Sequence, residues 1–417
     1  MNKIFILYKQ NKRLVDNTVI QIIGKIIAVF ISFLSVFLLT RYLGVEGYGD
    51  FTLIFVYLSF FTVLSDFGLN ISMVKELTVS KKRNKNTIGT YFFLRFILVI
   101  ISSIIALISL YFIPYINSLK FAIFIALIGV NIGSTSGFGN ALFQSELKIE
   151  LITLTDLIGK VVTVVCVVLC IIFKLNFYFI VLTVFFGNLS SLMLSIYYLK
   201  KQNKLLFCLD SKIAIALIRS SLPIGITSLF SLLYFKIDTF LLSIFRNTSE
   251  IAYYGVAYKI FENILVLWGF YMVSAYPILS TKVNNIVEFN QFIKRNLKAA
   301  IYSAFLIIFF MFIISPYIIK YIAGENFIAS IMALRILLFA LPLFFINNLI
   351  YHIFIIKNRA WVLTIIFFTS LMFNIILNFY TIPLYGFIGA SVTTLVTEFF
   401  VLLMYLFFIR VSHYESK

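Results

Sequence analysis

The chain has 417 residues, of which 62% are hydrophobic and 12% charged, with a formal net charge of +18. A soluble domain averages roughly 45–50% apolar and 25% charged residues, so this composition, with its mean hydropathy of +1.06, excludes a water-soluble globular protein. Two histidines exclude a histidine-rich metal centre, and the three cysteines, of which Cys166 and Cys170 sit one turn apart in an apolar run, form no disulfide framework.

Backbone groups in hydrocarbon must be hydrogen-bonded internally, so apolar runs of spanning length are predicted helices. In chain order they fall at 17–40, 50–72, 90–112, 121–142, 154–174, 177–199, 222–245, 251–276, 300–322, 328–356, 361–380 and 387–409. Period-2 alternation is missing, which excludes a β-barrel. The N-terminal stretch Met1 to Asn17 carries Lys3, Lys9, Lys12 and Arg13 but no cleavage pattern, so the first helix is expected to stay in the mature protein. Pro342 lies deep in the tenth span, where it removes a backbone hydrogen bond; a kink is expected there and Pro342 is a candidate hinge. Asn347 and Asn348 follow closely enough to satisfy the loosened backbone.

Lysines and arginines set the orientation. Alternate connections and both termini hold 23 of them against 5 on the opposite side, which predicts cytoplasmic termini and an even number of crossings. Most of the positive charge is therefore topological, meeting anionic headgroups.

An internal repeat relates the halves. Tyr48-Gly49 parallels Tyr254-Gly255, and Pro114-Tyr115 parallels Pro316-Tyr317, at offsets near half the chain. The expected fold is an all-α membrane protein of about 12 transmembrane helices. They form two six-helix bundles, residues 1–205 and 206–417, related by a pseudo-two-fold axis along the membrane normal, the layout of an alternating-access transporter.

A charge at the bilayer centre costs about 2.5–3.5 kcal/mol, so each one asks for a reason. Arg95 and Lys160 lie near enough to the cytoplasmic ends to snorkel, and Asp156 precedes Lys160 by one turn. Lys25 is deeper, with no acidic residue one turn away on its own helix. Lys236 and Asp238 point about 200° apart and do not pair with each other. Lys259 and Glu262 share a face, while Arg335 and Glu398 have no local partner. Asp66 is placed at the headgroup boundary. The candidate substrate-binding cations are thus Lys25, Lys236, Arg335, Lys259, Arg95 and Lys160, fit to receive a diphosphate. The candidate ion-coupling or structural carboxylates are Asp238, Glu262, Glu398 and Asp66, fit to take H+ or Na+. No metal site and no cofactor is expected.

No Gly-rich phosphate loop, Ser/His/Asp set or zinc-spaced His/Glu set appears, and the outward connections are about ten residues or fewer. An enzyme that builds glycans at the outer face has no loop to work from. A nucleic-acid partner is not expected.

The stretch Thr40-Arg41-Tyr42-Leu43-Gly44-Val45-Glu46-Gly47-Tyr48-Gly49 resembles the loop after the first helix of polysaccharide-unit flippases. Ser65-Asp66-Phe67-Gly68-Leu69-Asn70, Lys236 to Leu242 with Tyr253 to Tyr258, and Pro383 to Ala390 through Glu398 are similar to the same group's second, seventh-to-eighth and last helices. The chain thus resembles the O-antigen flippase (Wzx type) branch of the multidrug/oligosaccharidyl-lipid/polysaccharide exporter superfamily. The resemblance implies a non-enzymatic transporter in the bacterial cytoplasmic (inner) membrane. Its substrate would be an undecaprenyl-diphosphate-linked oligosaccharide, its drive a cation gradient, and its neighbours membrane lipids, a polysaccharide polymerase and a chain-length regulator. The competing readings are a drug/cation antiporter of that superfamily, which should favour carboxylates over lysines in its cleft, and a membrane glycan polymerase. A scaffold with no transport role leaves the buried charges unexplained.

Overall fold

A computed structural model describes residues 2–79, 85–202, 208–283, 285–357 and 359–414, without side chains at 2–18, 79, 273–274, 277, 286, 360 and 411–414. Much of the charge behind the orientation argument, including Lys3, Lys9, Lys12, Arg13, Lys81, Lys82, Arg83 and Lys204, lies outside the described residues or side chains.

Among the described residues the secondary structure is helical throughout. The helices are α1 (Asn2–Asp66), α2 (Leu69–Val79), α3 (Lys85–Phe112), α4 (Asn117–Ser136), α5 (Asn140–Ser145), α6 (Ile149–Ile172) and α7 (Phe177–Lys201). They continue with α8 (Ser211–Phe245), α9 (Thr248–Thr281), α10 (Ile286–Ile322), α11 (Ser330–Phe339), α12 (Leu341–Ile356) and α13 (Ala360–Tyr414). Eight segments of the described residues are long and apolar enough to cross a membrane, or nine when α11 and α12, bent by 46°, count as one. The chain is a multi-pass membrane protein.

Two of those segments are too long for one crossing. Val19–Thr78 has 60 residues and Trp361–Arg410 has 50. At 1.5 Å per residue these reach about 90 and 75 Å, against a hydrocarbon core of about 30 Å. Each is broken internally. Gly44 takes φ +67°, Phe67 and Gly68 take φ +39° and +77°, and Gly386 sits at φ +57°, ψ −135°, a conformation that ends one helix and starts the next. The predicted loop at 41–49 is therefore helical apart from a single residue. Keeping the backbone hydrogen-bonded is favoured where water is scarce.

The chain divides into two compact units. The first comprises Met1–Tyr42 and Ile54–Leu229, the second Leu43–Leu53 and Phe230–Lys417. The boundary between Leu229 and Phe230 falls inside α8.

Within the first unit, α6 and α7 approach closely. A Cβ on Gly159 would lie 2.1 Å from Ser191 Oγ, and one on Gly187 would lie 2.6 Å from the Gly159 carbonyl oxygen. Lipid supplies no hydrophobic drive between helices, so association comes from such small-residue packing and from hydrogen bonds. Ser191 Oγ donates one to the Thr155 carbonyl at 2.8 Å. An apolar core gathers Met73 of α2, Tyr91 and Phe92 of α3, Phe143 of α5 and Leu217 of α8.

Within the second unit, α9 begins on Asn247, whose side chain accepts from the Glu250 N–H, and α10 begins on Asn285, which accepts from Glu288. Arg246 donates to the carbonyls of Ile382 (3.0 Å) and Pro383 (2.7 Å), and Glu250 Oε2 accepts from Phe387 N–H at 2.9 Å. This clasp holds the break at Gly386, where a Cβ would lie 1.8 Å from Glu250 Oε2. Pro342 stands in the first turn of α12, where its missing N–H costs nothing, and the bend expected from it lies at the α11–α12 junction. Asn347 does not serve that bend; its side chain donates to Glu398. Cys166, Cys170 and Cys208 are all free thiols.

Candidate functional site

The first unit encloses a cavity of about 920 Å³. Its wall is built by α1, α3 to α7 and the short 3-10 turn Gly137–Gly139, and its lining includes Lys25, Arg95 and Lys160. Three cations that lie far apart in sequence thus share one concave surface, with Asp156 the carboxylate beside them. Lys25 reaches that position because Gly24 lets α1 ride against α6, a Cβ there falling 2.1 Å from Thr153 Cγ2.

Arg95 is the buried member, 4% exposed. Its Nη1 donates to Asn70 Oδ1 (2.7 Å), Tyr91 Oη (2.8 Å) and the Gly137 carbonyl (3.1 Å), and lies 3.2 Å from Asp66 Oδ1. Asp66 is therefore the counter-ion of Arg95. The pair meets because the break at Phe67–Gly68 turns the chain back toward α3. Arg95 does not snorkel either; it is held by four groups and its ring-facing side lies 5.5 Å from the Phe138 centroid. Lys160 pairs with Asp156 at 2.7 Å, as their one-turn spacing implies, with both side chains about half exposed.

Uncharged polar groups complete the lining. Gln21, Asn140, Gln144 and Asn188 offer amides, and Ser65, Ser134 and Thr153 offer hydroxyls. Asn188 is partly occupied, donating to the Gly129 carbonyl at 2.9 Å. Reasoning from charges alone misses these amides, although four of them in apolar runs are a legible signal.

The second unit holds the other candidates in separate places. Lys236 pairs with Glu262 at 2.5 Å, Lys259 lies 3.6 Å from the same carboxylate, and Lys236 Nζ sits 5.0 Å over the Tyr258 ring. This triad of two cations and one carboxylate carries a formal charge of +1 from the residues named. Arg335 lies 4.3 Å over Phe312 and donates from Nη2 to the Phe312 carbonyl at 3.1 Å, so its partners are an aromatic face and a backbone oxygen.

Asp238, 2% exposed, is caged by neutral groups. It accepts from Tyr254 Oη (3.0 Å), Asn378 Nδ2 (2.6 Å) and Thr394 Oγ1 (2.8 Å), and Asn378 Nδ2 also reaches Asn374 Oδ1 (2.8 Å). Lys236 and Asp238 point to different partners, as two positions on a helix dictate. Asn374 and Asn378, one turn apart, were visible in the sequence but carry no charge to draw the eye. Glu398, also 2% exposed, is met by the Tyr234 hydroxyl and by Asn347 Nδ2 at 2.8 Å. Among the described residues, no cluster of three or more His, Cys, Asp or Glu is placed to hold a metal ion.

Residues 14–282 match the family described as polysaccharide biosynthesis protein. Solved structures give a likeness in fold. An inward-facing multidrug resistance MATE family transporter of the MOP superfamily aligns at TM-score 0.76 and 14% identity, covering 96% of this chain and 99% of that one. A lipid II flippase, MurJ, in an inward closed conformation aligns at TM-score 0.77 and 16% identity, covering 95% and 87%. A MOP superfamily transporter from Pyrococcus furiosus, described as having a binding pocket of reverse polarity, aligns at 0.70 and 15%, covering 96% of each. No curated protein matches the chain.

Proposed function

Given that the chain belongs to the polysaccharide biosynthesis protein family, we propose that it flips an undecaprenyl-diphosphate-linked oligosaccharide across the bacterial cytoplasmic membrane by alternating access. The observation that carries this reading is the cavity that gathers Lys25, Arg95 and Lys160 among amides and hydroxyls. Cations suit a diphosphate, and Arg in particular presents a planar fork to it. Amides and hydroxyls suit sugar hydroxyls, which both donate and accept. Lys236 and Lys259, sharing Glu262, and Arg335 are the cations the second unit would offer. The fold likeness to a lipid II flippase agrees with the reading.

In this proposal both termini are cytoplasmic and the chain crosses twelve times. Twelve would be reached by dividing the two overlong segments at Gly44 and Gly386, counting the bent pair α11–α12 as one crossing and adding α9, six helices to each bundle. Coupling to a gradient of H+ or Na+ falls to the carboxylates. Asp238 and Glu398 stand apart from the other carboxylates, since the side chains that meet them are neutral and, among the described residues, neither pairs with a Lys or Arg. Asp66 and Glu262 are engaged by cations, which favours a structural role for them. Pro342 would serve as hinge at the 46° bend. Membrane lipids, a polymerase and a chain-length regulator are the proposed neighbours.

A drug/cation antiporter is the second reading, and the cationic lining of the cavity counts against it. The test is deletion of the gene in its native host, with lipid-linked sugar units and surface polysaccharide both measured. Accumulation of complete single units on the cytoplasmic leaflet, with loss of long surface chains, is the expected result. Single units reaching the outer leaflet unpolymerised would instead mark a polymerase. Unchanged polysaccharide in a strain without a redundant exporter would favour the antiporter.

A further inference from the structure

Glu398, like Asp238, is a buried carboxyl that no Lys or Arg among the described residues pairs with, and it has fewer side-chain donors than Asp238. It lies on α13 at 2% exposure, against an apolar cluster that includes Ile350, Phe354 and Val401. Its Oε1 meets the Tyr234 hydroxyl, and its Oε2 accepts from Asn347 Nδ2 at 2.8 Å, with the same Nδ2 3.0 Å from the Glu398 carbonyl. The apolar cluster brings three phenols to this place, Tyr234 of α8, Tyr351 of α12 and Tyr405 of α13. Among the described residues no Lys, Arg or His forms an ion pair with Glu398.

An ionised carboxylate in such a place is stabilised only by two neutral donors. Transfer of an unpaired carboxylate into an apolar interior is so unfavourable that the group takes up a proton instead. The neighbouring polar atoms suit the acid form. A neutral carboxyl has a proton to give and needs an acceptor, and the Tyr234 hydroxyl at Oε1 can take that part, while Asn347 Nδ2 goes on donating to Oε2 and to the Glu398 carbonyl. Asp238 contrasts with this. Three side chains donate to it, so its ionised form is solvated by the protein where that of Glu398 is not.

We infer that Glu398 is a proton-binding site, occupied in this conformation, and that its proton is the one exchanged when the transporter changes state. The second half rests on the gradient-coupled transport reading; the first does not. The site takes a proton alone, since two nitrogen- or hydroxyl-bearing neighbours in an apolar wall do not make an oxygen cage for a metal cation.

The test uses the full-length protein in lipid vesicles. Infrared spectra are taken through a pH series, comparing wild type with E398Q and D238N. The carbonyl stretch of a protonated carboxylic acid is expected in wild type at neutral pH, retained in D238N and lost in E398Q, while E398Q keeps the thermal stability of wild type because it reproduces the neutral acid in shape. No such band at neutral pH, or a large loss of stability in E398Q, would overturn the assignment. For the coupling half, E398Q as the sole copy in the native host should abolish surface polysaccharide at wild-type protein levels. Normal polysaccharide that still falls when a protonophore collapses the gradient would show that another group carries the proton. If deletion of the whole gene leaves polysaccharide unchanged, the flippase reading fails while the infrared result stands on its own.

Discussion

Gly386→Ala tests whether the break in α13 is held as described. Two effects add. The backbone at φ +57°, ψ −135° is one that side-chain-bearing residues rarely adopt, costing about 1–3 kcal/mol. The new methyl would sit 1.8 Å from Glu250 Oε2, so Glu250 must withdraw and release the Phe387 N–H it accepts at 2.9 Å. A hydrogen bond to a charged group contributes about 1.5–3 kcal/mol. Glu250 is 20% exposed, so water recovers part of that. We expect a total destabilisation of about 3–4 kcal/mol. The assay is equilibrium unfolding in mixed micelles of wild type, G386A, E250A and the double variant. In the E250A background the clash and the hydrogen bond are already gone, so G386A should cost only the backbone share, about 1–3 kcal/mol. The reasoning is refuted if G386A lies within about 0.5 kcal/mol of wild type, the range of an ordinary surface change, or costs the same in both backgrounds.

Further outcomes follow from the other sites. Arg95→Met strands Asp66 and removes the donor to Asn70, Tyr91 and the Gly137 carbonyl; breaking a buried pair costs about 3–5 kcal/mol, and since Asp66 is 29% exposed thermal denaturation should report the lower end, with partial recovery in R95M/D66N. Lys160→Ala should cost under about 1 kcal/mol, because its pair with Asp156 is half exposed, yet it should reduce surface polysaccharide in the host. Lys25→Ala should leave protein levels unchanged and lower polysaccharide output; normal output would remove Lys25 from the substrate site. Asp238→Asn should fold, since its partners can pair with an amide, and should keep the dependence of export on the ion gradient; loss of that dependence would move the coupling role from Glu398 to Asp238.

The sequence made helical spans legible through hydropathy, because lipid imposes a length and an internal hydrogen-bonding rule on every crossing. Local pairs were equally plain. Asp156 and Lys160 lie one turn apart and do meet, and Lys236 and Asp238 on opposite sides of α8 do not. Pairs made by tertiary folding were not. Asp66 and Arg95 are joined by the left-handed residues Phe67 and Gly68, whose geometry composition does not encode. The Asn374–Asn378 cage of Asp238 and the Tyr234–Asn347 clasp of Glu398 depend on which helix faces meet, and periodicity in a uniformly apolar helix leaves the face unmarked. The cavity belongs to the same class. Its cations were visible singly, while their convergence on one wall arises from the close passage of Gly24 against Thr153.

The ion pairs in that wall also bear on the electrical character of transport. Arg95 with Asp66 and Lys160 with Asp156 each sum to zero, so a reorientation that carries these residues through the membrane field moves no net charge on their account. The charges on that wall that would feel the membrane voltage are then Lys25 and the proposed diphosphate. With the interior negative, an anion leaves downhill, and at about 2.3 kcal/mol per charge per 100 mV a dianion gains about 4.6 kcal/mol on export. With Arg95 and Lys160 each balanced by its own carboxylate, the resting potential itself would push the substrate outward, and the gradient would be reserved for resetting the empty carrier.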